Sequence, residues 1–350
     1  MRVRAIVTHN RPHLDEIAAI VALRTKEGLA KYPGVDTAQI LIWGKDFIME
    51  DGRSVADYEQ EGHLFLGVGG GRFDEHPNGD EQIIRQDECC LSLVLRDLGL
   101  SEQDRRPWEL IEEFVKDVDN NPTASPFDIS SIVKNINAEF PNNPHMAIDW
   151  VMTALQAKCA SQLRFFKEAG PEYRSKAKIR PLKIGDRKIN LVVIKSDIEG
   201  VAKFARLPEP DGCRAAVVIL QQSSGRTQIF TNRREKLNMD DVAKALRLEE
   251  QIVRGKVIIT DWKTLSVDGT VEDIPWWHYQ KRGPNIFNGS LSRPDVKPTA
   301  IPLKRIEELV VVALTGEGLP HDCQVSGRCT KDACKWWKYT FYYCRQRQKK

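Results

Sequence analysis

The feature that most constrains this chain is the alternation, over its first hundred residues, of short apolar runs with segments of helical periodicity. "RVRAIVTH" (2–9) has the texture of a buried strand. "HLDEIAAIVALRTKEGLAKY" (13–32) follows, with Ile17, Ile20, Val21 and Leu23 recurring on one side of a helix. "AQILIWG" (38–44) and "GHLFLGVGG" (62–70) supply two more strands, and helices are expected near 85–99, 105–118 and 144–168. Strands separated by helices imply a mainly parallel sheet with helices on both faces. Ligands of such sheets gather at the carboxyl ends of the strands. His9 and the 67–76 loop both fall at such ends.

The texture then changes. "KEAGPEYRSKAKIRP" is polar, basic and broken by Gly and Pro, which predicts a linker over 169–180. Beyond it, one hairpin is expected to turn at Gly185-Asp186 and another at Ser224-Gly225, with helices near 197–206, 238–253 and 303–316. The expected organisation is an α/β domain over 1–168, a smaller α+β domain over 181–319 and a basic Cys-rich tail over 320–350. At 350 residues there is room for two cores. No apolar run is long enough to span a bilayer, and the N-terminus enters a strand-like pattern without a leader. That predicts a cytoplasmic protein with no membrane partner.

The net charge of +3 is unevenly spread. From Pro320 to Lys350 eight Lys/Arg face two Asp, so this segment is +6 and the remainder −3. A compact basic tail suits phosphate binding or simple solvation. Half of the eight cysteines lie there: Cys323, Cys329, Cys334 and Cys344, spaced C-x5-C-x4-C-x9-C. Without a C-x2-C pair, the spacing leaves Zn²⁺, an iron–sulfur cluster or no metal open. Cys89, Cys90, Cys159 and Cys213 fall on apolar stretches and are expected as buried thiols.

Three constellations suggest chemistry. In "THNRPHLDE", His9, His13 and Asp15 crowd a turn that can fold around an ion, or serve as an ordinary strand-to-helix turn. "GVGGGRFDEHP" ends in Asp74, Glu75 and His76, either a ligand set or a flexible acidic turn. "FVKDVDNNP" places Asp119 beside Asn120 and Asn121 at a helix end. In the second half, Arg233 and Arg234 after a strand have forks that match phosphate, and His278 with the Asn288-Gly289-Ser290 turn are further substrate-binding candidates. Trp276, Trp277 and Tyr279 are candidates for stacking bases or for core packing.

Taken in order, the three constellations resemble the DHH phosphoesterase superfamily, whose corresponding motifs bind two Mn²⁺ or Mg²⁺ ions. The nearer likeness is to the melanocyte-proliferating-gene family, also called metal-dependent protein hydrolases, whose animal members are described as RNA exonucleases. That family reads Thr-His-Asn-Gly-x-x-His-x-Asp-Glu, then Val-Asp-Val-Gly-Gly…Tyr-Asp-His-His, then Asp-x-x-Asp-Asn-Gly. This chain offers Thr8-His9-Asn10…His13-Leu14-Asp15-Glu16, Gly67-Val68-Gly69-Gly70…Phe73-Asp74-Glu75-His76 and Val118-Asp119-Asn120. A weaker likeness continues at 215–232 and 276–303.

The resemblance implies metal-assisted hydrolysis of phosphodiester bonds in single-stranded RNA or DNA, or of nucleotides. His9, His13, Asp15, Glu75 and Asp119 would be ligands, with Asp74 and His76 catalytic and His76 on the phosphate. Three departures are visible. The first motif is one residue shorter than the family's, Glu75 replaces the middle histidine of the triplet, and Gly67 stands where the family has a metal-bridging aspartate. A catalytically impaired nucleic-acid-binding protein and a small nucleotide phosphatase are the alternatives.

Overall fold

The computed structural model describes residues 2–76, 88–120, 125–198, 200–256, 258–289, 293–320 and 334–347. The chain divides into two compact units, Met1–Lys167 and Glu168–Lys350.

In the N-terminal unit, β1 (Ala5–Thr8), β2 (Gln39–Ile42) and β3 (His63–Leu66) form a parallel sheet in the order β2-β1-β3. The helices are α1 (Leu14–Leu23), α2 (Lys26–Lys31), α3 (Val55–Gln60), α4 (Cys90–Leu98), α5 (Glu102–Arg105), α6 (Glu109–Asn120), α7 (Ile129–Glu139) and α8 (Pro144–Arg164). Strand alternation sends neighbouring side chains to opposite faces. Ile6, Leu64 and Leu66 join the core beneath α1, α4 and α8, while Val7 and Phe65 pack with Phe47, Tyr58 and Val68 on the other face. Both faces are thus covered. α1 differs from expectation, because all ten of its residues are buried rather than one stripe. It lies in the middle of the unit, packed by α4, α6, α7 and α8.

The expected linker at 169–180 is structured. Phe165–Ala169 forms a π-helical turn, α9 spans Gly170–Lys176, and β4 begins at Lys178. Gly170 and Pro171 sit at the helix start, where proline is tolerated, instead of breaking the chain.

In the C-terminal unit, β4 (Lys178–Ile184), β5 (Arg187–Lys195), β6 (Val217–Gln221), β7 (Thr227–Thr231), β8 (Gly269–Val271), β9 (Ile274–Gln280) and β10 (Asn285–Phe287) form one mixed sheet, ordered β4-β5-β6-β7-β10-β9-β8. Only β5 and β6 pair in parallel. The hairpins β4–β5 and β6–β7 turn at the Gly185 and Gly225 positions, both with φ in the left-handed region. α10 (Val201–Ala205), α11 (Asp240–Val253), α12 (Trp262–Leu265), α13 (Leu303–Thr315) and α14 (Tyr342–Arg347) complete the unit. It was expected to be the smaller domain, yet it carries the larger sheet. The three strands after residue 268 were not expected: β8 and β10 have three residues each, and β9 interleaves Pro275, His278 and Gln280 with its apolar residues.

The tail also differs from expectation. Where described, it is part of the core: Trp336, Tyr339 and Phe341 are fully buried, and Tyr339 donates its hydroxyl hydrogen to Glu249. Arg305 pairs with Glu249 at 2.8 Å and stacks over Trp336 at 4.7 Å. Among the described residues no helix is long and apolar enough to cross a membrane.

Candidate metal centre and substrate-binding residues

The carboxyl end of β1 runs straight into the candidate centre. Thr8 closes the strand, and the 9–12 loop is pinned by buried Asn137, whose amide donates to the Pro12 carbonyl at 3.0 Å. His13 is the N-cap of α1, and its N–H is accepted by Glu16, three residues on. Asp15 follows on the first turn, buried, with the Cys90 N–H from the start of α4 donating to it at 3.3 Å. Asp119 arrives from the end of α6. Ligand atoms of His13, Asp15 and Asp119 all lie within 4.8 Å of one another, which brings the first and third constellations together.

The second trio, Asp74, Glu75 and His76, follows the glycine loop after β3 and has the same compactness, 4.8 Å. Asp74 is buried and accepts the Gly70 N–H at 2.7 Å, the His76 N–H at 3.1 Å and His76 Nδ1 at 2.9 Å. It therefore positions His76, whose side chain is two-thirds exposed at 66%. His9 joins neither trio. Its ring stacks on His13 with centroids 5.6 Å apart, and its Nδ1 accepts the Arg11 N–H at 3.2 Å.

The electrostatics are those of crowded acids. Burial, then Asp15, pushes Glu75 up to about 7. Burial, then Asp15, also raises Glu16 well above the usual range, with Glu75 adding to it. Asp119 is raised by burial and by Asp15. Burial lowers His9, helped by the charge of His13. For His76 burial works against the charged form, but the Asp74 hydrogen bond and the Glu75 charge outweigh it, and its pKa is raised. The carboxylates repel one another as anions, a repulsion that a cation would relieve.

Two buried polar atoms here have no hydrogen-bond partner among the described residues: Glu75 Oε2 and Thr8 Oγ1. Thr8 shares the strand face of Ile6, which looks toward α1. A buried polar atom left unpaired costs about 1–3 kcal/mol. Carboxylate and imidazole donors around an orphaned carboxylate oxygen fit Mn²⁺ or Mg²⁺ in kind.

Glu16 belongs to the same cluster in sequence, but sequence reasoning gives it no role there, because an acidic pair at a helix start has an ordinary explanation in the helix dipole. It is 2% exposed, and its side chain fills the room beside Gly67. A Cβ on Gly67 would lie 2.9 Å from Glu16 Cγ and 3.0 Å from its Oε1, and Gly67 has φ +64°. The space beside Gly67 is thus occupied by the Glu16 carboxylate.

The second-half candidates scatter. Arg233 and Arg234 are exposed on a 3₁₀ turn. Asn288 is fully buried and committed to structure: its amide donates to the Trp276 and Lys297 carbonyls at 2.8 and 3.1 Å, and its Oδ1 accepts the Thr299 N–H. It is a staple, not a substrate group. His278, held by Thr270 at 3.0 Å, and Gly289 line a cleft of this unit. Ser290 lies outside the described residues. Of the proposed stacking rings, Trp277 and Tyr279 are core, their polar atoms donating to Glu250 and Asp240 at 2.9 Å each. Trp276 is half-buried with Arg254 over it at 4.6 Å.

Cys323 and Cys329 lie outside the described residues; Cys334 is buried and Cys344 half-buried against the second core. Cys89, Cys90, Cys159 and Cys213 are buried thiols as expected, and burial pushes Cys89 and Cys159 up to about 12.

No family model matches the chain, and no curated protein does. Among solved structures it is similar to an uncharacterized protein from Helicobacter pylori G27, at 10% identity over 89% of this chain and 99% of that one, with a TM-score of 0.24. A likeness of that size does not define a shared fold.

Proposed function

We propose that the N-terminal unit is a metal-dependent phosphodiesterase of the DHH phosphoesterase kind, acting on single-stranded RNA or DNA or on nucleotides. The observation that carries this reading is the pair of compact ligand trios, His13–Asp15–Asp119 and Asp74–Glu75–His76, at the carboxyl ends of β1 and β3 beside the orphaned Glu75 oxygen. His9, His13, Asp15, Glu75 and Asp119 would hold one or two Mn²⁺ or Mg²⁺ ions. When bound, such ions acidify a water and offset charge on phosphoryl oxygens.

The rest belongs to the chain. Asp74 fixes the His76 ring through Nδ1, so Nε2 is the nitrogen that a phosphate oxygen would meet. The Asp74 hydrogen bond and the Glu75 charge raise the pKa of His76 and so favour its charged form, a cation suited to negative charge developing on that oxygen. The basic, cysteine-containing tail is a candidate for holding polymer, with Zn²⁺ or an iron–sulfur cluster as its candidate metal.

A second reading, a nucleic-acid-binding protein without catalysis, is favoured by Gly67. That position offers no bridging carboxylate, and the neighbouring Glu16 has one oxygen held by the His13 N–H. The deciding experiment incubates the protein with end-labelled single-stranded RNA, DNA and a dinucleotide in Mn²⁺, Mg²⁺ or Co²⁺. Hydrolysis is expected, with loss of turnover in His76→Ala but retention of its Mn²⁺-induced thermal shift. Intact substrates under all three metals, with binding preserved, would establish the second reading. Release of phosphate from mononucleotides alone would identify a phosphatase.

A further inference from the structure

The C-terminal sheet has one face that its helices leave partly open. On β7, β9 and β10 the residues Ile229, Trp277, Tyr279 and Ile286 point into the core with α11 and α13. Their alternates therefore face the other way. The strand registers set Leu220 opposite Gln228, Gln228 opposite Phe287, and Phe287 opposite His278, a row crossing four strands. Phe230 stands on the same face, its ring 5.7 Å from that of Phe287 at 72°. This row floors a cleft of about 920 Å³, lined entirely by residues of the C-terminal unit. That is the size of a small-molecule site.

Arg206, just past α10, forms one wall. Its guanidinium donates to the Ala202 carbonyl at 3.1 Å and the Thr231 carbonyl at 3.0 Å, and stands 5.6 Å from the Phe230 ring. Among the described residues no carboxylate pairs with it, whereas Arg293 at the rim is matched by Asp295 at 2.9 Å. Lys203 adds a second cation to the lining, and Asp197 the one acid, already accepting the Ser223 N–H.

We propose that this cleft binds a nucleotide, with its base against Phe230 and Phe287 and its phosphate at Arg206. Two rings offer a π surface for a flat group. The amides of Gln222, Gln228 and Gln280 line the same space and suit the hydrogen-bonding edge of a base. A fixed guanidinium suits phosphate. A purely apolar ligand would strand the amides and the cation, and inorganic phosphate would leave the rings unused. Every residue lining the cleft belongs to the C-terminal unit, so the proposal does not rest on the metal centre.

The test uses the full chain in EDTA, titrated calorimetrically with AMP, CMP, adenosine and inorganic phosphate. Both nucleotides are expected to bind, adenosine more weakly and phosphate least. Phe230→Leu with Phe287→Leu keeps apolar bulk but removes the π surface. It should weaken AMP roughly tenfold or more at an unchanged melting temperature. Arg206→Gln should bring AMP down toward adenosine. Because Arg206 also holds the Thr231 carbonyl, Lys203→Gln reads the phosphate contact if that variant melts early. Absence of nucleotide binding, phosphate binding as well as AMP, or a double leucine variant that binds AMP like the parent would each overturn the proposal. Since no metal is present, none of these outcomes bears on hydrolysis at the N-terminal centre.

Discussion

Replacing Glu75 by Gln should stabilise the metal-free protein while removing its response to metal. Glu75 is held among Asp15, Glu16 and Asp74, one of its oxygens has no partner among the described residues, and its pKa stands near 7 instead of the ordinary 4.5. The folded state thus binds that proton more tightly than the unfolded chain does. Stability associated with Glu75 is complete below about pH 4.5 and is lost as pH rises to about 7. The full displacement corresponds to about 3.4 kcal/mol. Part of the group reaches solvent, where charges are screened, which reduces the expected figure to about 1–2 kcal/mol.

Gln cannot ionise, so Glu75→Gln should gain that amount at pH 8 and almost nothing at pH 5. For a unit of this size the gain corresponds to a melting temperature higher by roughly 2–8 °C. Thermal melts at both pH values, in EDTA and in Mn²⁺, check it. The parent should gain from Mn²⁺ at pH 8 and the variant should not. A variant destabilised equally at pH 5 and pH 8, or one with an undiminished Mn²⁺ gain, would refute the argument that Glu75 is a strained ligand.

Three further outcomes follow from the packing. Gly67→Asp, which would add the bridging carboxylate that the proposed DHH-like reading lacks here, should destabilise by about 1–2 kcal/mol from its left-handed backbone alone, with added crowding against Glu16. Urea unfolding measures it, and an unchanged midpoint would mean that Glu16 moves aside without cost. Asn288→Ala strips the Trp276, Lys297 and Thr299 backbone groups of their partners and should cost about 1–3 kcal/mol, read in the same assay with nucleotide affinity as a second readout. Phe341→Ala should cost about 3–5 kcal/mol, because this tail residue is fully buried in the second core; a midpoint within error of the parent would return the tail to solvent.

What the sequence determined by itself was whatever local chemistry decides. Hydrophobic period placed β1 to β3, α1, α4 and the β4–β5 and β6–β7 hairpins, since burial on one face leaves a repeat of about two or 3.6 residues in the chain. The motif spacing singled out His9, His13, Asp15, Asp119, Asp74, Glu75 and His76, and all of these but His9 are found in the two trios. Tertiary structure alone decided the remainder. Whether Asn288 binds a ligand or a backbone depends on which carbonyls fold against it, and no local pattern encodes that. The tail read as a basic, Cys-rich end for metal and phosphate because its cysteines, lysines and arginines are visible in sequence, whereas the core that receives Trp336, Tyr339 and Phe341 is assembled from distant segments. Glu16 and Gly67 are 51 positions apart in the chain, and only the parallel pairing of β1 with β3 puts one in the other's space. The row of Leu220, Gln228, Phe287 and His278 has the same origin, since strand register is a long-range choice that each strand's own residues leave open.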